Sequence, residues 1–345
     1  MDSEGKKMEP SSANRQRAAI EAPLDPDLPI CDPHHHLRER PNDRYFLEEF
    51  LQDTRAGHNI VSTVCVENRA MYRKEGPDGM KPVGETEFFD HVAAQAASDP
   101  NNSTLVAAGI VGHADLSLGD AVAQVLEAHL TASPGHFRGI RHSTTSDESE
   151  AIRSDARPGL LADSAFRRGF ACLQQFGLSF DAWLYHPQLP ELVEFARAFP
   201  DVPIILDHIG GPLGVGPYKG KHDEVFRAWS MGIADLSACP NVTMKLGGFG
   251  STRSGYDWHE RAIQPTSAEL ADTMEPYFDF CIEKFGVYRC MFESNFPVDK
   301  ASYSYAAIWN AFKRISQSYS AAERRALFHD TAARVYRLPI IGEQK

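Results

Sequence analysis

Residues 178–210 read LSFDAWLYHPQLPELVEFARAFPDVPIILDHIG. Two short runs rich in aromatic and β-branched residues, LSFDAWLY from Leu178 and PIILDHIG from Pro203, flank a segment from Leu189 to Phe199. In that segment Leu189, Leu192, Val193 and Ala196 recur at the spacing of one helical face. A strand, a helix and a second strand in so short a span form a βαβ unit, and strands joined by such a crossover run parallel.

The same alternation continues in both directions. Upstream strand candidates are PICDPHHHL from Pro29, IVSTVCVE from Ile60, TLVAAGIVG from Thr104 and FRGIRHS from Phe137; downstream are VTMKLGGF from Val242 and CMFESNFP from Cys290. Helices are predicted over Arg44 to Arg55, Glu85 to Ala97, Gly119 to Ala132, Ala165 to Phe176, Leu189 to Phe199, Asp223 to Ser237, Ser267 to Lys284 and Tyr303 to Gln317, with a ninth over Ala321 to Tyr336. Eight βα pairs without a domain-sized break close most simply as one distorted (β/α)8 TIM barrel over residues 26–340, the ninth helix packing outside it. Residues 1–25, polar and without periodicity, read as a flexible leader. The long loops Asn68 to Val83, Thr144 to Leu161 and Gly248 to Pro265 follow strands, so they belong to the C-terminal face, where barrel enzymes carry their sites.

Of the 345 residues 42% are hydrophobic, ample material for a large core, and the formal net charge is -12 with no basic block. That balance opposes nucleic acid and anionic membrane as partners and favours a small molecule. The N-terminal stretch lacks the apolar run of a signal peptide, and a cytoplasmic location is expected. Six cysteines without a CxxC pair read as buried free thiols, with neither disulfides nor a cysteine zinc site. Oligomeric state is left open, a homodimer through the ninth helix being one arrangement.

Residues two apart in a strand share a face, so Asp32, His34 and His36 are expected to point together while Pro33 and His35 point away. Further ionisable groups recur at the ends of other strands: Glu67, Arg141 and His142, His186, Asp207 and His208, Lys245, and Glu293 with Asn295. Packing alone does not collect such groups, because each buried polar atom requires a partner. A cluster of this kind at a barrel mouth reads as an active site.

Five segments in order, DPHHH (32–36), FRGIRH (137–142), LDHIGGP (206–212), VTMKL (242–246) and MFESNFPV (291–298), resemble the amidohydrolase superfamily, in the amidohydrolase-2 type branch that includes 2-pyrone-4,6-dicarboxylate lactonase and sugar lactonases. The resemblance spans about Leu28 to Leu338. It implies that His34 and His36 form the first-strand catalytic pair, and that His208 polarises a carbonyl or holds the attacking water. It also makes Arg141 a substrate clamp whose planar fork fits a carboxylate. Glu67, His186, Lys245 and, from the loop after strand seven, Arg253 are further substrate-binding candidates, with Tyr256 within reach.

The chain departs from its apparent relatives at strand eight. They commonly place an aspartate before the aromatic-Pro pair, as base and metal ligand; here Asn295 stands there. An amide accepts no proton at neutral pH, so the base is sought among Glu293, Glu67, Asp299 and the histidines. An amide is also a poor ligand for a divalent cation, which leaves the cofactor as none or one metal such as zinc. Any metal is assigned to His34, His36 and His186. The leading expectation is hydrolysis of a small, carboxylated lactone, with His36, His208 and Arg141 donating to the oxyanion. Two alternatives are a metal-dependent decarboxylase of an aromatic or unsaturated acid, and a non-catalytic ligand-binding relative in which Asn295 marks lost chemistry.

Overall fold

The eight expected runs all form strands in the computed structural model, which is described for residues 21–40 and 43–339. They are β1 (Pro29–His35), β2 (Asn59–Val66), β3 (Leu105–Gly112), β4 (Phe137–Arg141), β5 (Ser179–Ala182), β6 (Ile204–Leu206), β7 (Val242–Leu246) and β8 (Cys290–Phe292). Each pairs in parallel with the next, in chain order. Closure from β8 back to β1 runs through the segment after β8: His35 bridges Phe296, His36 N–H donates to the Phe296 carbonyl at 2.7 Å, and Asn295 N–H donates to the His34 carbonyl at 3.0 Å. The last seam of the barrel is therefore stitched by residues of the candidate site.

The outer ring is α1 (Leu47–Thr54), α2 (Val83–Ser98), α3 (Val122–Ala132), α4 (Ser164–Gln175), α5 (Leu189–Ala198), α6 (His222–Ser237), α7 (Ser267–Phe285) and α8 (Tyr305–Ile315). Their apolar faces bury against the strands; Phe166, Phe170 and Phe195 from α4 and α5, for example, cluster on Phe180 of β5. The ninth helix is interrupted: Ala321–Arg325, a π turn at Ala326–Asp330 and Thr331–Val335.

Two helices, α1 and α3, start about one turn later than expected, each for a local reason. Residues 44 and 45 belong to a small antiparallel hairpin (Arg38–Arg40 with Asp43–Tyr45), and α1 begins later because extended Phe46 has its N–H capped by Glu49 at 2.9 Å. Ahead of α3, Gly119 takes a φ of 59° and kinks the 3-10 stretch Leu116–Ala121, so the helix starts only at Val122. Within the stretch expected as a leader, residues 1–20 lie outside the described residues. Leu24 and Asp25 are tied to α8, their carbonyls accepting from Lys313 Nζ at 2.8 and 2.9 Å. All six cysteines are buried and free. Among the described residues no helix is long and apolar enough to cross a membrane.

Candidate active site

At the C-terminal ends of the strands lies a cavity of about 470 Å³, whose lining includes His36, Glu67, Arg141, His208, Arg253 and Asn295. These residues come from six different strand ends or following loops, so one cavity gathers most of the expected site. His34 lies beneath it, fully buried. His35 points away, as alternation requires, stacking on Phe50 and meeting Thr63 at 3.0 Å. Asp32 turns from the cavity instead, accepting from Ser294 Oγ at 2.6 Å and Tyr305 OH at 2.9 Å. The pairing of β1 with β2 shifts register between Asp32 and His35, which breaks the strict alternation there.

His36 Nδ1 lies 2.8 Å from the Val66 carbonyl. A carbonyl only accepts, so this nitrogen carries the proton and Nε2 keeps its lone pair. Burial, reinforced by the Arg141 charge, holds the imidazole well below its ordinary pKa and therefore neutral. His36 presents an acceptor, not the oxyanion donor expected of it. His34 Nε2 faces it at 3.2 Å, while His34 Nδ1 lies 3.0 Å from Glu293 Oε2 and 3.4 Å from Asp207 Oδ1. Burial and the Lys245 ammonium oppose charge on His34, but these two carboxylates outweigh them and raise its pKa.

His208 sits in a turn just past β6 with φ 54°, a left-handed conformation uncommon for a side-chain-bearing residue. Glu293, from the end of β8, fixes it twice: Oε1 accepts from the ring Nδ1 at 2.6 Å and from the backbone N–H at 3.1 Å. Burial alone would push the Glu293 carboxyl up, yet His208 and His34 beside it hold it at about 2. With Nδ1 donating to a carboxylate and burial lowering the ring's pKa, His208 is neutral and its Nε2 carries a lone pair. Gly247 and Gly248 make room for the pair; a Cβ on Gly247 would meet Glu293 Cγ at 2.4 Å, and one on Gly248 would meet His208 Cβ at 2.5 Å.

Asn295, also at a positive φ of 54°, donates from Nδ2 to Asp299 Oδ1 at 2.9 Å. Asp299 further accepts from Gly250 N–H at 3.0 Å and Tyr303 OH at 2.6 Å, and burial pushes its carboxyl up to about 7. This orients the amide so that Oδ1, buried on the cavity wall, has no hydrogen-bond partner among the described residues. A buried acceptor left open beside a cavity suits a ligand's or a water's hydrogen.

Three further expected roles are corrected. Arg141 is not an open fork: Nε donates to Glu67 Oε1 at 2.8 Å, Nη2 to the Glu67 carbonyl at 2.5 Å, and Nη1 lies 3.2 Å from His34 Nε2 and 3.4 Å from Asp207 Oδ2. With five N–H groups in all, about one remains for the cavity. Lys245 does not reach substrate; it is fully buried, with Nζ at 2.6 Å from Asp181, 3.0 Å from Asp207 and 3.0 Å from His34 Nδ1. His186 is not brought to the His34–His36 pair; it stacks edge-on against Tyr218 and its Nδ1 accepts from Leu213 N–H at 3.4 Å.

The buried donor group assembled among the described residues is His34, Asp207 and His208, with ligand atoms within 4.8 Å of one another. Its atoms are already shared with two buried cations, Lys245 and Arg141. A divalent ion there would face both fixed positive charges at close range, at roughly 4 kcal/mol for each unit-charge pair even in an effective dielectric of 20. Four buried carboxylates, Glu67, Asp181, Asp207 and Glu293, already surround those two cations and His34. A metal could take these donors only by displacing the contacts that now hold them.

Asp181, Trp183 and four cavity-lining arginines escaped the sequence reading. Arg38, Arg40, Arg69 and Arg153 join Arg141 and Arg253 around the mouth, against the acids Glu39, Glu67 and Asp155. They come from the hairpin and the long loops, where no periodicity marks a side chain's direction. The tandem glycines after β7 were the available signal for the close approach of His208 and Glu293.

Eight parallel strands with buried histidines, carboxylates and an arginine at their C-terminal ends define a (β/α)8-barrel enzyme. Residues 31–338 match the amidohydrolase family model, and the chain belongs to the amidohydrolase family. The uncharacterized protein y4mH of Sinorhizobium fredii is 36% identical over 334 residues, 90% of this chain and 99% of that protein. An L-fucono-1,5-lactonase of Burkholderia multivorans is 30% identical over 233 residues, 67% of this chain and 72% of that enzyme. A crystal structure of an amidohydrolase from Burkholderia multivorans with bound zinc aligns with a TM-score of 0.69 at 27% identity, over 90% of this chain and 99% of that one.

Proposed function

We propose that the protein hydrolyses a small lactone bearing a carboxylate. The observation that carries this reading is the join of a carboxylate-held histidine, His208, to a cavity ringed by six arginines in a chain of net charge -12. A local cationic mouth in an acidic protein concentrates an anionic substrate. The lactonase among the relatives supports the ring ester as the reacting group.

In this mechanism the substrate carboxylate pairs with the mouth arginines, Arg253 foremost, since its guanidinium lies over the Tyr185 ring and has no ion pair among the described residues. A water donates one hydrogen to His208 Nε2 and the other to Asn295 Oδ1, which orients its oxygen at the ester carbonyl. As the C–O bond forms, His208 takes the proton and Glu293 stabilises the resulting imidazolium. The remaining Arg141 N–H steadies the oxyanion. Collapse breaks the ring C–O bond, the leaving oxygen takes the proton back from His208, and an open-chain hydroxy acid departs. No step runs through a metal.

The test is a panel of carboxylated and neutral lactones followed by base consumption at constant pH. Hydrolysis favouring the carboxylated members is expected. Release of carbon dioxide from aromatic acids with no lactone turnover would overturn the reading in favour of a decarboxylase.

A further inference from the structure

The loop after β2 carries Asn68, Arg69 and Ala70 along the cavity wall, and one side chain behind it holds all three. Glu85, fully buried in the first turn of α2, does so with a single oxygen. Its Oε1 accepts from the backbone N–H of Asn68 at 2.8 Å and from that of Ala70 at 2.8 Å. Arg69, between them, takes a left-handed φ of 60°, a conformation that a side-chain-bearing residue keeps only where its surroundings enforce it. Glu85 enforces it from both sides. The next residue, Met71, has φ 50°, and α2 starts so close to it that a Cβ on Gly84 would meet the Met71 carbonyl oxygen at 2.6 Å.

Held in this way, Arg69 is exposed at the cavity with neither a hydrogen bond nor an ion pair among the described residues. Asn68 in turn accepts from Arg40 Nη2 at 3.2 Å, so the same support reaches a second arginine of the mouth. Packing alone does not account for a carboxyl at position 85. Burial first, and the Glu67 charge second, push it up to about 8, and its other oxygen, Oε2, has no hydrogen-bond partner among the described residues. An apolar side chain would fill the space without that penalty but would leave two N–H groups of the loop unpaired. We propose that Glu85 is the positioning residue for Arg69 and, through it, sets the preference for a carboxylated substrate over a neutral one. The inference rests on the lactonase reading for the substrate, and on the loop geometry for the residue.

Calorimetric titration with a tetrahydropyran carboxylate and the corresponding carboxamide tests the assignment without turnover, because neither compound has an ester to cleave. Arg69→Ala, at an exposed position, should weaken the carboxylate about tenfold, the scale of one charge-assisted hydrogen bond, and leave the carboxamide unchanged. Glu85→Leu should reproduce that loss. Glu85→Gln should keep the parent's affinity, since the amide oxygen accepts the same two N–H groups. Glu85→Leu combined with Arg69→Ala should be no worse than Arg69→Ala alone, because both act through one contact. Should Glu85→Leu fail to fold, Glu85→Asp, which withdraws the acceptor by one methylene, takes its place with the same expectation. No carboxylate preference in the unaltered protein, unchanged carboxylate binding in Arg69→Ala, equal losses for both probes in the Glu85 variant, failure of Glu85→Gln to keep the affinity, or additive losses in the double variant would each overturn the proposal. The matching carboxylated lactone separates the two readings, its KM being expected to rise in Arg69→Ala and Glu85→Leu more than kcat falls. Hydrolysis with KM unmoved in both variants leaves the hydrolase and removes the positioning role. Carboxylate-selective losses among the ethers with no lactone cleaved keep the positioning role and remove the hydrolase.

Discussion

One oxygen of Glu293 accepts both the ring N–H of His208, at 2.6 Å, and its backbone N–H, at 3.1 Å. The carboxylate thereby fixes the imidazole's position, its tautomer and, through the backbone, the left-handed turn that carries it. In the proposed mechanism this pair serves as the base that the Asn295 amide cannot be.

Glu293→Gln should cut kcat by about 10²-fold or more, the range of a positioned general base. The pH profile distinguishes this from simple unfolding. His208 works as the neutral ring, so activity rises with pH through its pKa. Glu293 favours the imidazolium, so its removal lowers that pKa and moves the acid limb of kcat/KM to lower pH.

Asn295→Asp places a second carboxylate against Asp299, where Asn295 now donates at 2.9 Å. Two carboxylates at that distance hold a proton more tightly when folded than when unfolded. The loss of stability relative to the parent should be small below about pH 4, the ordinary aspartate value, and grow as pH rises above it. Denaturation midpoints of both proteins from pH 4 to 8 check the sign. For activity, a similar or reduced rate is expected; a gain of 10²-fold over an inactive parent would mark the chain as a binding relative that lost its base.

Lys245→Met leaves Asp181 and Asp207 fully buried without the ammonium that lies at 2.6 and 3.0 Å from them. Removing one partner of a buried ion pair costs about 3–5 kcal/mol, and chemical denaturation should show a loss of that order. A stable variant with impaired substrate affinity would instead return Lys245 to the substrate-binding role.

Exhaustive chelation should leave lactone hydrolysis unchanged, and added zinc should not raise it, because Lys245 and Arg141 already hold the charge balance of His34 and Asp207. Metal analysis of the purified protein beside kcat measured before and after chelation decides the matter. Loss of turnover on chelation with recovery on zinc would overturn the metal-free mechanism.

The eight strands, the order of the helices and the gathering of His36, Arg141, His208 and Asn295 at one mouth were legible in the sequence, because hydrophobic periodicity and strand-end placement are local properties that survive folding. That His35 turns away from the site followed from alternation; its stacking on Phe50 is a tertiary contact. Asp32 did not obey alternation, since a register shift in the pairing of β1 with β2 is set by the neighbouring strand.

What each polar atom does was decided by partners far away in the chain. His208 meets Glu293 across 85 positions, His34 meets Lys245 across 211, and Arg141 is taken up by Glu67 across 74. Sequence spacing carries no record of such pairings. It could place Lys245 on a strand but not show that Asp181 and Asp207 would bury it, nor that His186 would turn to Tyr218 and away from the histidine pair. The sequence by itself determined the barrel and the address of its site; the tertiary structure decided which groups there are open to a ligand, because burial makes every charge seek its counter-charge wherever in the chain it lies.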